Sequence, residues 1–341
     1  MIIAGLNGYV PLVALLDNKA YIQALHGQTQ HVLAQASAQG GWFGPLFEQS
    51  TPLTTARGKT DFWQSYRLLG ALCQYAELAP SDTTAVTASL LKFADALDTF
   101  LAAHPIVIGD WSHMRMTELL APLLWLTDHA PASSDLSPVL SLMGKVSSQG
   151  MDWTSWILSP AFANLTTHDP GNLCGPVFYE QLMVHGVDHG TALMQQAHHY
   201  RVTGDNESFT RARQQLDKMM ALHGQASGVF SAGECICGKH PDAGTETCAV
   251  VEMMESLGQL FTVTGDTDYL DQLEQVAFNA LPAAFFNGSM GAMQYFQHAN
   301  TQFARVNWTS GRGVDQLRFR QVFECCLANH NMCAVHLTDA T

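Results

Sequence analysis

The chain has 341 residues, of which 47% are apolar and only 13% charged, and its formal net charge at pH 7 is −14. That is a core-rich globular composition, which excludes the disordered class. An acidic chain without any run of Lys and Arg also argues against nucleic acid and anionic membrane surfaces as partners, and a neutral ligand fits better.

Helical periodicity predicts helices over 10–37, 60–78, 84–103, 114–128, 136–149, 177–202, 206–222, 247–263 and 267–283. In the second, Phe62, Tyr66, Leu69, Leu72, Cys73 and Ala76 recur mostly three and four apart. In the third, Val86, Leu90, Phe93, Ala94, Leu97 and Leu101 do the same. Strand-type alternation is scarce, with short candidates at 227–232 and 291–297. No stretch approaches the ~20 apolar residues of a membrane span. Met1-Ile2-Ile3-Ala4-Gly5 has no basic region and no cleavage pattern, so no signal peptide is read and a cytoplasmic location is favoured.

The punctuation between helices repeats. Tyr200-Arg201-Val202-Thr203-Gly204-Asp205 returns as Phe261-Thr262-Val263-Thr264-Gly265-Asp266, with a weaker cousin at Glu77-Leu78-Ala79-Pro80-Ser81-Asp82. Each Gly suits the left-handed position that ends a helix, and each Asp can cap the next one. Helix, tight turn and helix followed by a longer return is the pattern of stacked antiparallel hairpins. Closed into a ring, these give an all-α (α/α) toroid with short β segments in its loops. An open solenoid or plain bundle is the alternative. The ring is favoured by recurrent aromatic loops: Gly41-Trp42-Phe43, Asp110-Trp111, Asp152-Trp153 and Trp156. At a cavity mouth such rings suit sugar faces; otherwise they pack the hairpin ends. No Pro-, Ser- or Gly-rich linker divides the chain, so residues 1–341 are expected to form one domain.

Eight cysteines in this length do not make a disulfide scaffold, and their clustering points to metal or catalysis. Glu246, Cys248 and the adjacent Cys325-Cys326 offer a carboxylate and three thiols, a set that can close a tetrahedral zinc site. Spacing alone favours a structural zinc over a catalytic one. A disulfide and free buried thiols also remain open, and Cys235 and Cys237 are rival ligands. Glu234 stands in a loop, Gly228-Val229-Phe230-Ser231-Ala232-Gly233-Glu234, where burial could tune it as a general acid. His185 and His189 lie four apart on a predicted helix without an HExxH pattern; His185 could instead bond a substrate hydroxyl. Tyr295, in Gln294-Tyr295-Phe296, could reach the same place or pack in a strand. Phosphate loops and GxSxG elbows are absent from the sequence, which leaves nucleotide and serine-hydrolase readings without support.

Several segments together resemble glycoside hydrolase family 127, the β-L-arabinofuranosidase family. They are Gly41-Trp42-Phe43-Gly44-Pro45, Asp61-Phe62-Trp63, Gly150-Met151-Asp152-Trp153, Gly244-Thr245-Glu246-Thr247-Cys248, Ala277-Phe278-Asn279-Ala280-Leu281-Pro282, Gln294-Tyr295-Phe296-Gln297 and Cys325-Cys326-Leu327-Ala328-Asn329. The resemblance implies an (α/α)6 barrel with a zinc ion held by Glu246, Cys248, Cys325 and Cys326. It implies Cys325 as nucleophile, Glu234 as acid/base, and His185 and Tyr295 as substrate contacts. The implied activity is retaining hydrolysis of an L-arabinofuranoside or related glycan.

The resemblance also implies C-terminal β-rich domains and an earlier start, so the chain reads as shortened at both ends. An incomplete barrel would leave apolar helix faces to pair with a partner, a homo-oligomer included. Two rivals use the same fold: a non-catalytic toroid whose structural zinc supports glycan or protein binding, and a lyase or epimerase with His185 or Tyr295 as base.

Overall fold

The structure, a computed structural model, describes residues 2–44, 62–106, 108–166, 182–233, 235–239, 243–286, 289–293, 295–298, 325–326, 329–330 and 332. Its chain forms two compact units, Met1–Met151 and Asp152–Thr341.

The first unit is built from α1 (Ile2–Leu16), α2 (Lys19–Ala38), α3 (Trp63–Leu78), α4 (Thr83–Ala103), α5 (Trp111–Met114), α6 (Met116–His129) and α7 (Ser137–Gln149). Helix α3 packs on α1 and α6, and α7 on α4 and α6. The apolar positions read from the sequence form its core: Tyr66, Leu69, Val86, Leu90, Phe93 and Leu97 are each at most 2% exposed. The helix expected over 10–37 is two helices. Asp17 takes a positive φ of 44°, and Asn18 caps α2 by accepting from the amides of Ala20 (2.9 Å) and Tyr21 (3.4 Å). An Asx cap competing with the helix at Asp17-Asn18 overrides the surrounding apolar periodicity. Within α6, buried Glu118 accepts from the Trp63 indole at 2.8 Å and pairs with Arg67 at 3.1 Å and Arg115 at 2.9 Å.

In the second unit follow α8 (Trp153–Leu158), α9 (Pro160–Ala163), α10 (Gly186–Ala192), α11 (Gln195–Thr203), α12 (Glu207–His223), β1 (Gly244–Glu246), α13 (Thr247–Thr264), α14 (Asp268–Asn279), β2 (Phe285–Phe286), β3 (Ser289–Met293) and β4 (Phe296–His298). Helix α13 packs on α10, α11 and α14, and α12 on α8 and α11. Strand β1 pairs antiparallel with β4, and β2 with β3.

The repeated turn behaves as its sequence predicts. Gly204 and Gly265 are left-handed at φ 73° and 68°, each sending its amide back to a carbonyl at 2.7 Å. Asp205 and Asp266 then accept from the amides of Glu207 (3.0 Å) and Asp268 (3.1 Å), and pair with Arg211 and Arg213. The helix expected over 177–202 is broken, and its first five positions lie outside the described residues. The break at Leu193-Met194 has a local cause. Ser256 of α13 donates to the carbonyls of Gly190 (2.6 Å) and Thr191 (3.4 Å), which a continuing helix would use.

The strand expected over 227–232 is instead a loop with isolated bridges, Gly224 to Phe230 and Ala232 to Ile236 and Thr245. The candidate at 291–297 divides into β3 and β4 around Gln294, which lies outside the described residues. Of the aromatic loop residues, Trp42 and Trp153 are buried in packing, whereas Trp111 and Trp156 keep partial exposure. Among the described residues no helix is long and apolar enough to cross a membrane.

Candidate metal and catalytic site

Strand β1 and helix α13 meet at Glu246, whose extended backbone (φ −69°, ψ 141°) makes it the N-cap of α13. Its amide donates to the carbonyl of Ala232 at 2.6 Å, and Ala232 in turn donates to Gly244 at 2.8 Å. The next amide, of Thr247, donates to the carbonyl of Tyr295 at 2.9 Å. Backbone bonds from two directions therefore fix the side chains of Glu246 and, two residues on, Cys248. They are 2% and 1% exposed.

Cys325 and Cys326 face this pair. Cys326 is fully buried, with its Sγ 3.2 Å from that of Cys248 and 3.4 Å from Glu246 Oε1. Cys325 is exposed, its Sγ 3.9 Å from Cys326 Sγ and 4.0 Å from Glu246 Oε1. All four donor atoms lie within 4.8 Å of one another. Tetrahedral zinc bonds to sulfur and oxygen put neighbouring ligand atoms about 3.6–3.8 Å apart, so the four residues fit that ion. None of the three cysteines is disulfide-bonded, which removes the disulfide reading for this group.

Burial pushes the Cys248 thiol well above its ordinary pKa, reinforced by its contacts with the other two thiols and by the Glu246 carboxylate. Burial raises the Cys326 thiol as well. Taking thiolates and a carboxylate out of water together requires a counter-charge, and a bound cation supplies one.

Cys235 is disulfide-bonded and so offers no thiolate, and Cys237 is not disulfide-bonded. Neither belongs to the donor cluster found among the described residues. The backbone of Cys235 forms an antiparallel bridge with His185, while Ile236 donates to Val184 at 3.1 Å. This brings the loop after Gly233 beside His185 and the loop before it beside Glu246. Glu234 itself lies outside the described residues.

His185 is 6% exposed, and its Nδ1 is 3.4 Å from Oδ1 of the fully buried Asp188. The approach of α10 to this loop is tight: a Cβ on Gly186 would sit 2.1 Å from that of Ala232. His189 does not join His185 as a metal ligand. Its Nδ1 is 2.8 Å from the His185 carbonyl, to which it donates, and its Nε2 accepts from the Trp156 indole at 3.3 Å. Burial holds the ring neutral, with its pKa lowered to about 4. Trp153 and Phe162 enclose it, with ring centroids at 4.9 and 5.5 Å. Tyr295 is half-buried and meets the site through its backbone carbonyl.

His223 is the residue near the site that sequence reasoning passed over. It ends α12, is fully buried, and its Nδ1 accepts from the Gly238 amide at 2.9 Å. The one available signal was its place just before the Gly-rich loop.

Comparison with known proteins bears out the family resemblance over residues 181–339, which match the family model for the beta-L-arabinofuranosidase, GH127 catalytic domain. Among solved structures the chain is similar to a GH127 beta-arabinofuranosidase, with 17% identity and a TM-score of 0.63 over 99% of this chain and 52% of that one. It is also similar to a family 88 glycosyl hydrolase from Bacteroides vulgatus (14% identity, TM-score 0.59, covering 99% and 92%). A third is a cellobiose 2-epimerase from Bacillus thermoamylovorans (10% identity, TM-score 0.55, covering 99% and 87%). At these identities the likeness is one of fold, and it belongs to the helical α/α-barrel class expected from the sequence. The chain spans about half the length of the GH127 structure. No protein of curated function matches it by sequence.

Proposed function

We propose that this chain, whose residues 181–339 match the GH127 catalytic-domain model, is a retaining glycoside hydrolase of the β-L-arabinofuranosidase type, with one catalytic domain over 1–341. The observation that carries the proposal is the convergence of Glu246, Cys248, Cys325 and Cys326, of which only Cys325 is exposed. A purely structural zinc site is closed on every side, whereas this cluster presents one thiol outward.

Glu246, Cys248, Cys325 and Cys326 would hold the zinc. When bound, it keeps the Cys325 thiol deprotonated near neutral pH. The Cys325 thiolate attacks the anomeric carbon, forming a carbon–sulfur bond as the glycosidic carbon–oxygen bond breaks. Glu234 gives its proton to the departing oxygen. Glu234 then takes a proton from water, whose oxygen displaces the sulfur and regenerates the thiolate. Two displacements at one carbon retain its configuration. His185, beside Asp188 and with its carbonyl accepting from His189, contacts a sugar hydroxyl. Tyr295 lies beside Glu246 through the Thr247 bond and completes the sugar contacts.

Glu234→Gln tests the acid/base assignment. Hydrolysis of an alkyl or phenyl β-L-arabinofuranoside should fall by roughly 10²–10⁴-fold, because a poor leaving group needs the proton. A dinitrophenyl glycoside should be much less affected in its first step. Equal and small losses on both substrates would contradict the role. Product analysis by proton magnetic resonance should show the retained anomer first, and an inverted product would contradict the double displacement.

A further inference from the structure

Besides the disulfide at Cys235 and the bond from the Ser231 amide to the His223 carbonyl at 2.8 Å, three groups of bonds among the described residues hold the loop between Ser231 and Gly238. At its start, Ala232 is bonded to Gly244 and Glu246. In its middle, Cys235 and Ile236 are bridged to His185 and Val184. The third group is at Gly238, where both peptide polar atoms are captured from inside the protein. The Gly238 amide donates to His223 Nδ1 at 2.9 Å, and the Gly238 carbonyl accepts from the hydroxyl of Ser231. His223 and Ser231 are both fully buried.

This geometry decides the tautomer of His223. An Nδ1 that accepts an amide proton must be unprotonated, so the ring's hydrogen is on Nε2. The ring stacks edge-on against Phe162 at 5.1 Å, which fixes its plane. Burial lowers its pKa to about 3, so the acceptor persists over the working range of any near-neutral enzyme.

We propose that His223 and Ser231 form a latch that positions the loop carrying the acid/base, the same loop that is bonded to Glu246 and bridged to His185. His223 acts through this loop, as a positioning residue. The proposal rests on the glycosidase reading for its catalytic consequence. It does not rest on that reading for the latch itself, which consists of two hydrogen bonds to the backbone of one residue, Gly238.

The test compares His223→Phe, His223→Asn and Ser231→Ala in the full chain. Phenylalanine keeps the ring and loses the acceptor, whereas asparagine keeps an acceptor near the Nδ1 position. Amide hydrogen exchange over residues 231–239 should rise in His223→Phe and Ser231→Ala and return toward native in His223→Asn. With a phenyl β-L-arabinofuranoside, kcat should fall about 10–100-fold in His223→Phe, part of the full general-acid contribution. With a dinitrophenyl glycoside it should fall less than about threefold. Loss of the latch should therefore steepen the dependence on leaving group, which general destabilisation does not do. If His223→Phe fails to fold, Ser231→Ala carries the same comparison.

Unchanged exchange in a folded variant, or equal losses on both substrates, would overturn the proposal. Failure of the native chain to cleave any of these glycosides would overturn the glycosidase reading instead, leaving exchange at Gly238 to decide the latch.

Discussion

Replacing Cys325 with serine is expected to lower kcat/KM for an aryl β-L-arabinofuranoside by roughly 10⁴-fold or more, with the fold retained. The reasoning begins with exposure. Cys325 is the exposed member of the donor cluster, so exchanging sulfur for oxygen there disturbs no core packing. The serine hydroxyl is a far weaker nucleophile than a thiolate at neutral pH, and the carbon–oxygen bond it would form is a poorer leaving group in the second displacement. Cys326→Ser should behave differently. Cys326 is fully buried within 3.2 Å of Cys248 and 3.4 Å of Glu246, so stability and activity should fall together. Steady-state kinetics beside thermal unfolding separates the two. Turnover by Cys325→Ser at the native rate would contradict the nucleophile assignment.

Removing the metal is the second large effect. Elemental analysis should find one zinc per chain, and a strong chelator should abolish turnover and lower the unfolding temperature. A metal at a thousandfold excess over its dissociation constant contributes about 4 kcal/mol. For a unit the size of Asp152–Thr341 this corresponds to a fall of roughly 8–16 °C. The pH dependence has a definite sign. The Cys248 and Cys326 thiols are raised by burial when no cation is bound, and metal binding must displace their protons. Zinc affinity, and with it the metal-linked stability, should therefore weaken as pH falls. Chelation that leaves both the unfolding temperature and turnover unchanged would contradict a metal centre.

Much of this arrangement is legible in the sequence because it depends on short-range rules. The Thr-Gly-Asp turns at Gly204 and Gly265 declare themselves through residue types that the left-handed position and the Asx turn require. Glu246 and Cys248 could be proposed as ligands because their donor chemistry is local. The spacing of Cys325 and Cys326 could not say whether those thiols meet Glu246, since that depends on tertiary packing. Two predicted helices proved broken because a competing hydrogen bond outranks periodicity: the Asn18 cap in one, and the Ser256 hydroxyl from another helix in the other. The disulfide at Cys235 and the latch at His223 were not legible. Neither carries a motif, and the bonds of Gly238 to His223 and Ser231 depend on how the loop folds back. Val229 and Phe230 supply the β-type residues that suggest a strand over 227–232, but the bridges there are single and isolated.

The central claim is that the exposed thiol of this cluster forms a bond to the sugar. The most direct measurement is an acid quench of the zinc-loaded chain during turnover of a dinitrophenyl β-L-arabinofuranoside, followed by peptide mapping by mass spectrometry. The expected result is a single pentosyl adduct on the peptide carrying Cys325, absent from Cys325→Ser. An adduct on a carboxylate instead, or an unmodified Cys325 peptide in a chain turning over with inversion, would contradict the account.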